Sequence, residues 1–318
     1  MVGARLALVL GCVALMACGQ GPVTDARPSS APATPLSLGP CRLPVASGDA
    51  PVDGHAGDGT VGHGGFVEFP AARFSPDAAS MGDYDRQVSH WLPVSRAWVE
   101  PDGARYAWGE NSVIHVVDAA SGGAHDLPVP APAAVVSFEM EGIYVARIVP
   151  GSGAPAQGLA LLDAGSGAFH QIVADGTWTA IGGGFAYGQD LDPALAPPPA
   201  AASGPAAANR VRRLDLHSGA VSNVASYPGA RAQVLGATGT APLIGVTSGS
   251  TYTVFSGTTT VFTGAAADSD PGAPVVIDGS AVWFSSLNAS VWHWDGSGRA
   301  AVAATLPLRA LQVAGGCH

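Results

Sequence analysis

The chain has 318 residues and a formal net charge of −10, from 14 basic and 24 acidic side chains. That balance argues against nucleic acid as a partner, and the lack of any lysine excludes a Gly-x-x-x-x-Gly-Lys phosphate loop. Only 12% of residues are charged, while glycines and prolines number 43 and 26; with aromatic and β-branched residues spread along the chain, this suits many short strands and tight turns rather than disorder.

The first five residues carry one positive charge, and Leu6 to Ala17 carry none. This fits the apolar region of a signal peptide and is too short to cross a bilayer as a mature helix. It ends in Leu15-Met16-Ala17-Cys18-Gly19, which resembles the lipobox of bacterial lipoproteins. The resemblance implies a diacylglyceryl thioether on Cys18, cleavage before it, and a lipid anchor on the extracytoplasmic side of the cell envelope. An ordinary secretory signal with a chance cysteine is the alternative. Residues 1–17 are then the signal peptide. Residues 18–40 are the lipidated cysteine and a tether rich in Pro, Ala, Ser and Thr, expected to be extended. Residues 41–318 form the folded domain.

Of four cysteines, Cys12 leaves with the signal and Cys18 takes the lipid. Cys41 and Cys317 remain, and in an oxidising compartment they read as a disulfide joining the start of the domain to its end. Two free thiols or a metal pair are the alternatives. Just after Cys41, the Gly-rich run from Ser47 to Gly65 holds Asp49, Asp53, His55, Asp58 and His63. Carboxylates and imidazoles among glycines could wrap a metal ion. Their spacing matches neither a calcium loop nor a zinc helix, so a surface loop without metal is the reading preferred.

From Phe66-Val67-Glu68-Phe69 onward the pattern is of strands. One unit recurs: an apolar strand, an Asp, then Ser-Gly. It runs from Ile114 through Asp118 to Gly122, from Leu159 through Asp163 to Gly167, and from Val211 through Asp215 to Gly219. Weaker copies end at Gly257 and, with Asp295, at Gly298, so the intervals are 45, 52, 38 and 41 residues. In each the Asp can accept turn amides and the Gly can supply a positive φ. A hairpin repeated every ~40–45 residues is the spacing of a four-stranded propeller blade. The longest interval holds Asp192 to Ala208, a Pro/Ala stretch that reads as a surface insertion. A last strand, Leu308 to Val313, precedes Cys317.

One unit, Val99-Glu100-Pro101-Asp102-Gly103-Ala104-Arg105-Tyr106-Ala107-Trp108 with Ile114 to Gly122 and Leu127, resembles the WD40-like repeat of TolB-type propellers. Glu100 stands where that family usually has Ser, and Phe74-Ser75-Pro76-Asp77 is a fragment of the same opening. The expected fold is all-β: a single β-propeller of six four-stranded blades, with seven as the alternative count. A C-terminal strand would complete the first blade, and the Cys41–Cys317 bond would staple that closure. A pair of β-sandwiches is the rival fold.

No catalytic constellation stands out. No serine has a glycine two residues before it, so the Gly-x-Ser-x-Gly elbow is absent. The repeated Asp residues occupy one equivalent turn position, so a ring would spread them apart. Trp108, Trp283, Trp292 and Trp294 sit in strand-like runs where core packing is the default and a sugar groove the alternative. The sequence thus favours a membrane-anchored, non-enzymatic propeller without cofactor or bound metal, binding a protein or an envelope polymer. A channel-mouth enzyme or solute binder (a sugar lyase, lactonase or quinoprotein-like activity) and a purely structural role in assembly are the alternatives.

Overall fold

The structure, a computed structural model, describes residues 36, 38–46, 64–80, 82–149, 151, 155–195, 208–269, 275–306 and 311–318. Blade 1 begins with β1 (Cys41–Ala46), β2 (Gly64–Phe69) and β3 (Arg73–Asp77). A separate hairpin follows, β4 (Asp83–Asp85) and β5 (His90–Leu92). Blade 2 holds β6 (Arg105–Glu110), β7 (Val113–Asp118) and β8 (Ala124–Pro128), and blade 3 holds β9 (Ala133–Glu139), β10 (Gly142–Arg147), β11 (Gln157–Leu162) and β12 (Phe169–Val173). Blade 4 comprises β13 (Trp178–Gly182), β14 (Phe185–Asp190), β15 (Arg210–Asp215) and β16 (Val221–Ser226). Blade 5 comprises β17 (Arg231–Thr238), β18 (Ala241–Ser248), β19 (Thr251–Ser256) and β20 (Thr259–Ala265). Blade 6 comprises β21 (Val276–Asp278), β22 (Ala281–Ser285), β23 (Ser290–Trp294) and β24 (Ala301–Thr305), and β25 (Gln312–Val313) comes last.

Among the described residues these make six antiparallel blades, five of four strands and one of three, besides the β4–β5 hairpin. In blade 2 the innermost position is taken by Val99, which bridges Tyr106 of β6. The fold is therefore the all-β propeller that the 38–52-residue spacing predicts. The repeated Asp-to-Gly unit falls between the third and fourth strands of a blade. The Pro/Ala insertion lies between β14 and β15, and most of it, residues 196–207, is outside the described residues.

The blades have no common core, because each buries its faces against its neighbours. Ala107, Ile114, Val116 and Leu127 of blade 2 pack on Phe138, Ile143, Val145 and Leu162 of blade 3. Leu243, Val254 and Phe262 of blade 5 meet Val282, Phe284 and Trp294 of blade 6 in the same way. A fully buried Leu, Ile or Phe stabilises by roughly 1.5–3 kcal/mol relative to an exposed one, so a blade without neighbours would lose most of its stabilisation.

The ring closes through its last residues. β25 pairs antiparallel with β1, Val45 opposite Val313 and Ala46 opposite Gln312. Arg42 N–H donates to His318 O at 2.9 Å and His318 N–H to Arg42 O at 3.2 Å. Beside them Cys41 and Cys317 are disulfide-bonded, with Cα atoms 5.6 Å apart and a sequence separation of 276. The His318 ring stacks on Tyr84 at 4.8 Å, and its burial holds the imidazole below its ordinary pKa. Of the expected closing strand Leu308–Val313, Gln312 and Val313 are paired, and residues 308–310 lie outside the described residues.

Candidate functional site

The turn residues singled out by the repeat are local devices. Asp118 Oδ1 accepts Ser121 N–H at 2.7 Å, Ser121 Oγ–H at 2.8 Å and Ala120 N–H at 3.1 Å. Asp163 repeats this with Ser166 N–H at 2.6 Å, Ser166 Oγ–H at 2.7 Å and Gly165 N–H at 3.1 Å. Asp215 accepts Ser218 N–H at 2.8 Å and His217 N–H at 3.0 Å. Gly122, Gly167 and Gly219 close the turns with φ of 69°, 72° and 71°, each amide donating at 2.9 Å to the carbonyl of its own Asp. Donors held on a carboxylate favour its charged form, so all three acids lie below the usual carboxylate range. They cap the hairpins of three successive blades.

The metal candidates Asp49, Asp53, His55, Asp58 and His63 and the lipidation site Cys18 lie outside the described residues. Among the described residues no group of three or more His, Cys, Asp or Glu side chains is placed to hold a metal ion, and no helix is long and apolar enough to cross a membrane. Trp283 and Trp294 are buried. Trp108 is half-buried with its ring 4.1 Å from His115, and Trp292 packs at 4.9 Å against Phe262.

The central channel is a cavity of about 850 Å³ walled by β9, β13, β17, β21 and the segment around Val99. Strand alternation explains its lining, since successive side chains face opposite ways. In β9, Val135 and Phe138 are buried between blades while Ala134 and Val136 are half-exposed to the channel. Ile181, Leu235, Val275 and Ile277 occupy the same half-buried position on the later blades, and Thr179 is exposed there.

Among the described residues, one sector of this wall carries charge: Asp83, Arg96 and Glu139. Asp83 Oδ2 accepts the backbone N–H of Arg96 at 2.6 Å. The Arg96 guanidinium lies 3.3 Å from Oδ2 of Asp85, a side chain only 1% exposed, and donates to Val99 O at 3.2 Å. Asp85 Oδ1 accepts Gln87 N–H at 2.7 Å, while its Oδ2 has no donor in hydrogen-bonding geometry. Burial pushes the Asp83 carboxyl up to about 6, against the opposing pull of the Arg96 amide and charge. Glu139 is raised as well, mainly by burial, although Ser137 Oγ–H donates to it and Arg96 is near.

A second charged cluster lies at the base of the Pro/Ala insertion. Arg210 forks onto Asp190 at 2.7 and 2.8 Å and reaches Asp192 at 2.8 Å, and Arg212 reaches Asp190 at 3.1 Å. Burial alone would raise Asp190; the two guanidiniums more than reverse it and hold it low. Fully paired in this way, the cluster braces the two strands that carry the insertion. Its sequence signal is Asp190-x-Asp192 opposite Arg210-x-Arg212, one face of two neighbouring strands.

Together the closed ring of blades and the open channel define a β-propeller. Among solved structures, TolB from Acinetobacter baumannii superimposes with a TM-score of 0.50 over 89% of this chain and 68% of that one, at 12% sequence identity. The Mitotic Checkpoint Complex and the computationally designed Ika8 protein also match, each with a TM-score of 0.38 and 12% identity, over 60% and 67% of this chain and 57% and 61% of theirs. No protein-family model matches the chain, and no curated protein sequence matches it.

Proposed function

We propose that this chain is a lipid-anchored, extracytoplasmic binding protein that holds a protein or envelope-polymer partner at its central channel and carries out no chemistry there. The observation that carries this reading is the channel wall: half-exposed aliphatic side chains around most of the ring, with charge confined to one sector. Concave, mostly apolar surfaces with a few placed polar groups are the usual form of binding sites. Acid–base or nucleophilic chemistry would require reactive groups converging from several blades. On the described walls the titratable side chains are Asp83, Arg96 and Glu139, and Arg96 is engaged by Asp85 and Val99.

The membrane anchor rests on the Leu15-Met16-Ala17-Cys18 sequence alone. Two or more acyl chains give stable anchoring where one is marginal. Cys18→Ala should abolish labelling by a radioactive fatty acid and release the chain from membranes; persistent labelling rejects the anchor. For the channel, a photocrosslinking residue at Thr179 or Leu235 should trap one specific partner in the native envelope. The same residue on the exposed outer strand β16, at Asn223, should not. Equal trapping from both positions rejects the channel as the binding surface.

A further inference from the structure

We propose that the channel's occupant is a polypeptide segment of a protein partner, and that it presents an arginine or lysine side chain to Asp83 and Glu139. This rests on the channel being the binding surface, and it adds the chemistry of what enters.

Three carboxylates share one guanidinium, that of Arg96: Asp85 is paired with it, and Asp83 and Glu139 feel its charge. That guanidinium is already engaged by Asp85 and the Val99 carbonyl. Asp85, almost wholly out of water, still has an oxygen without a hydrogen-bond donor, and the pull of the Arg96 charge on the two acids at the wall is outweighed by their burial. Asp83 and Glu139 are accordingly held toward their neutral forms by burial. A cation entering the channel would restore what water no longer supplies. None of the other described lining residues is charged, so nothing on the facing walls repels it.

The remaining walls favour peptide over polysaccharide. Val136, Ile181, Leu235 and Ile277 are aliphatic, a surface suited to the hydrocarbon stem of Arg or Lys below its charged head. Two tryptophans are among the lining residues: Trp178, only 3% exposed and so no open platform, and Trp98, on the charged sector itself. A sugar chain would call for aromatic platforms and many polar side chains around the ring.

The test is panning a phage-displayed random decapeptide library against the purified full chain in detergent. Enriched peptides are then synthesised and titrated against the wild type, Glu139→Gln, the Asp83→Asn/Glu139→Gln double variant and Thr179→Trp, each shown to be folded by circular dichroism. The expected result is enrichment of Arg or Lys at one peptide position. Binding should weaken about tenfold or more in the double variant and vanish in Thr179→Trp, which fills the channel but keeps the acids. Peptides lost in Thr179→Trp but free of a required cation, or indifferent to the carboxylate substitutions, overturn the cation and leave the channel standing. Peptides indifferent to Thr179→Trp overturn the channel itself. No enrichment, with binding of a soluble polysaccharide instead, overturns the peptide.

Discussion

The bond between Cys41 and Cys317 spans 276 residues and closes the ring, so its removal is the sharpest test of how the fold is held together. In the chain-entropy account, a cross-link over a loop of that length restricts the unfolded chain by about 5–6 kcal/mol at 25 °C. Measured disulfides more often deliver about 2–4 kcal/mol, because the reduced unfolded chain is not a random coil. The native side of the balance is local: among the described residues β25 meets β1 through two paired residues, beside the backbone bonds between Arg42 and His318. The Cys41→Ala/Cys317→Ala pair should therefore lose about 2–4 kcal/mol. With an unfolding entropy near 2.1 cal/mol/K per residue, a domain of this size should melt roughly 4–7 °C lower by calorimetry. Hydrogen exchange should rise first in Cys41–Ala46 and Gln312–Val313, while blade 4 keeps its protection. An unchanged melting temperature with unchanged exchange at the closure would show that pairing and packing hold the ring without the bond, and the reasoning would fail.

Asp83→Asn should stabilise the protein at neutral pH. The folded pKa, about 6, lies above the ordinary 3.8, so the acid's favourable contribution is complete below pH 4 and is lost as pH rises through 6. Asn still accepts the Arg96 amide, so the variant should match the wild type near pH 4 and exceed it by up to about 3 kcal/mol at pH 7.5; denaturant melts showing equal stability at both pH values would refute the burial argument. Gly122 has a φ of 69° and open space where a Cβ would stand, so Gly122→Ala should cost about 1 kcal/mol by backbone strain alone, and Gly122→Asn less. Leu162→Ala removes a fully buried side chain between blades 2 and 3 and should cost about 2–5 kcal/mol in chemical denaturation; a loss below 1 kcal/mol would mean that the blades do not depend on that contact.

What the sequence revealed divides along a physical line. The Asp118, Asp163 and Asp215 turns were legible because their chemistry is local: donor, acceptor and glycine lie within five residues of one another. The propeller was legible because that local unit repeats, and the closure because two cysteines and a final strand pointed to the same join. The channel sector was not legible. Asp83 and Arg96 fall in the stretch between β3 and β6 that carries no copy of the repeat, and only the ring brings them beside Glu139. Glu139 itself, next to the exposed Met140, looks in sequence like any acid before a hairpin turn. Val99 was read as part of the Pro-Asp-Gly unit, although its role as the inner edge of blade 2 depends on a single bridge to Tyr106.

The distribution of apolar surface supports the same channel. A propeller stabilises itself between blades, where Ile143, Leu162, Leu243 and Val282 are wholly buried. Its outer strands are free to be polar: in β16 five of six side chains are exposed and four of the six residues are Ser, Asn or Ala. Folding uses only part of the inward-facing side chains of β9, β13, β17 and β21: Val136 and Ile181 lean on the cluster of Tyr144, Leu159 and Trp178, and Leu235 and Ile277 on that of Leu243, Val282 and Phe284. Yet Val136, Ile181, Leu235 and Ile277 are all aliphatic and only half-buried. Apolar area left in contact with water costs roughly 25 cal/mol per Å² that burial would recover. A partner seated in the channel would bury that area without any change in the ring, and the one wall that bears charge would then set which partner fits.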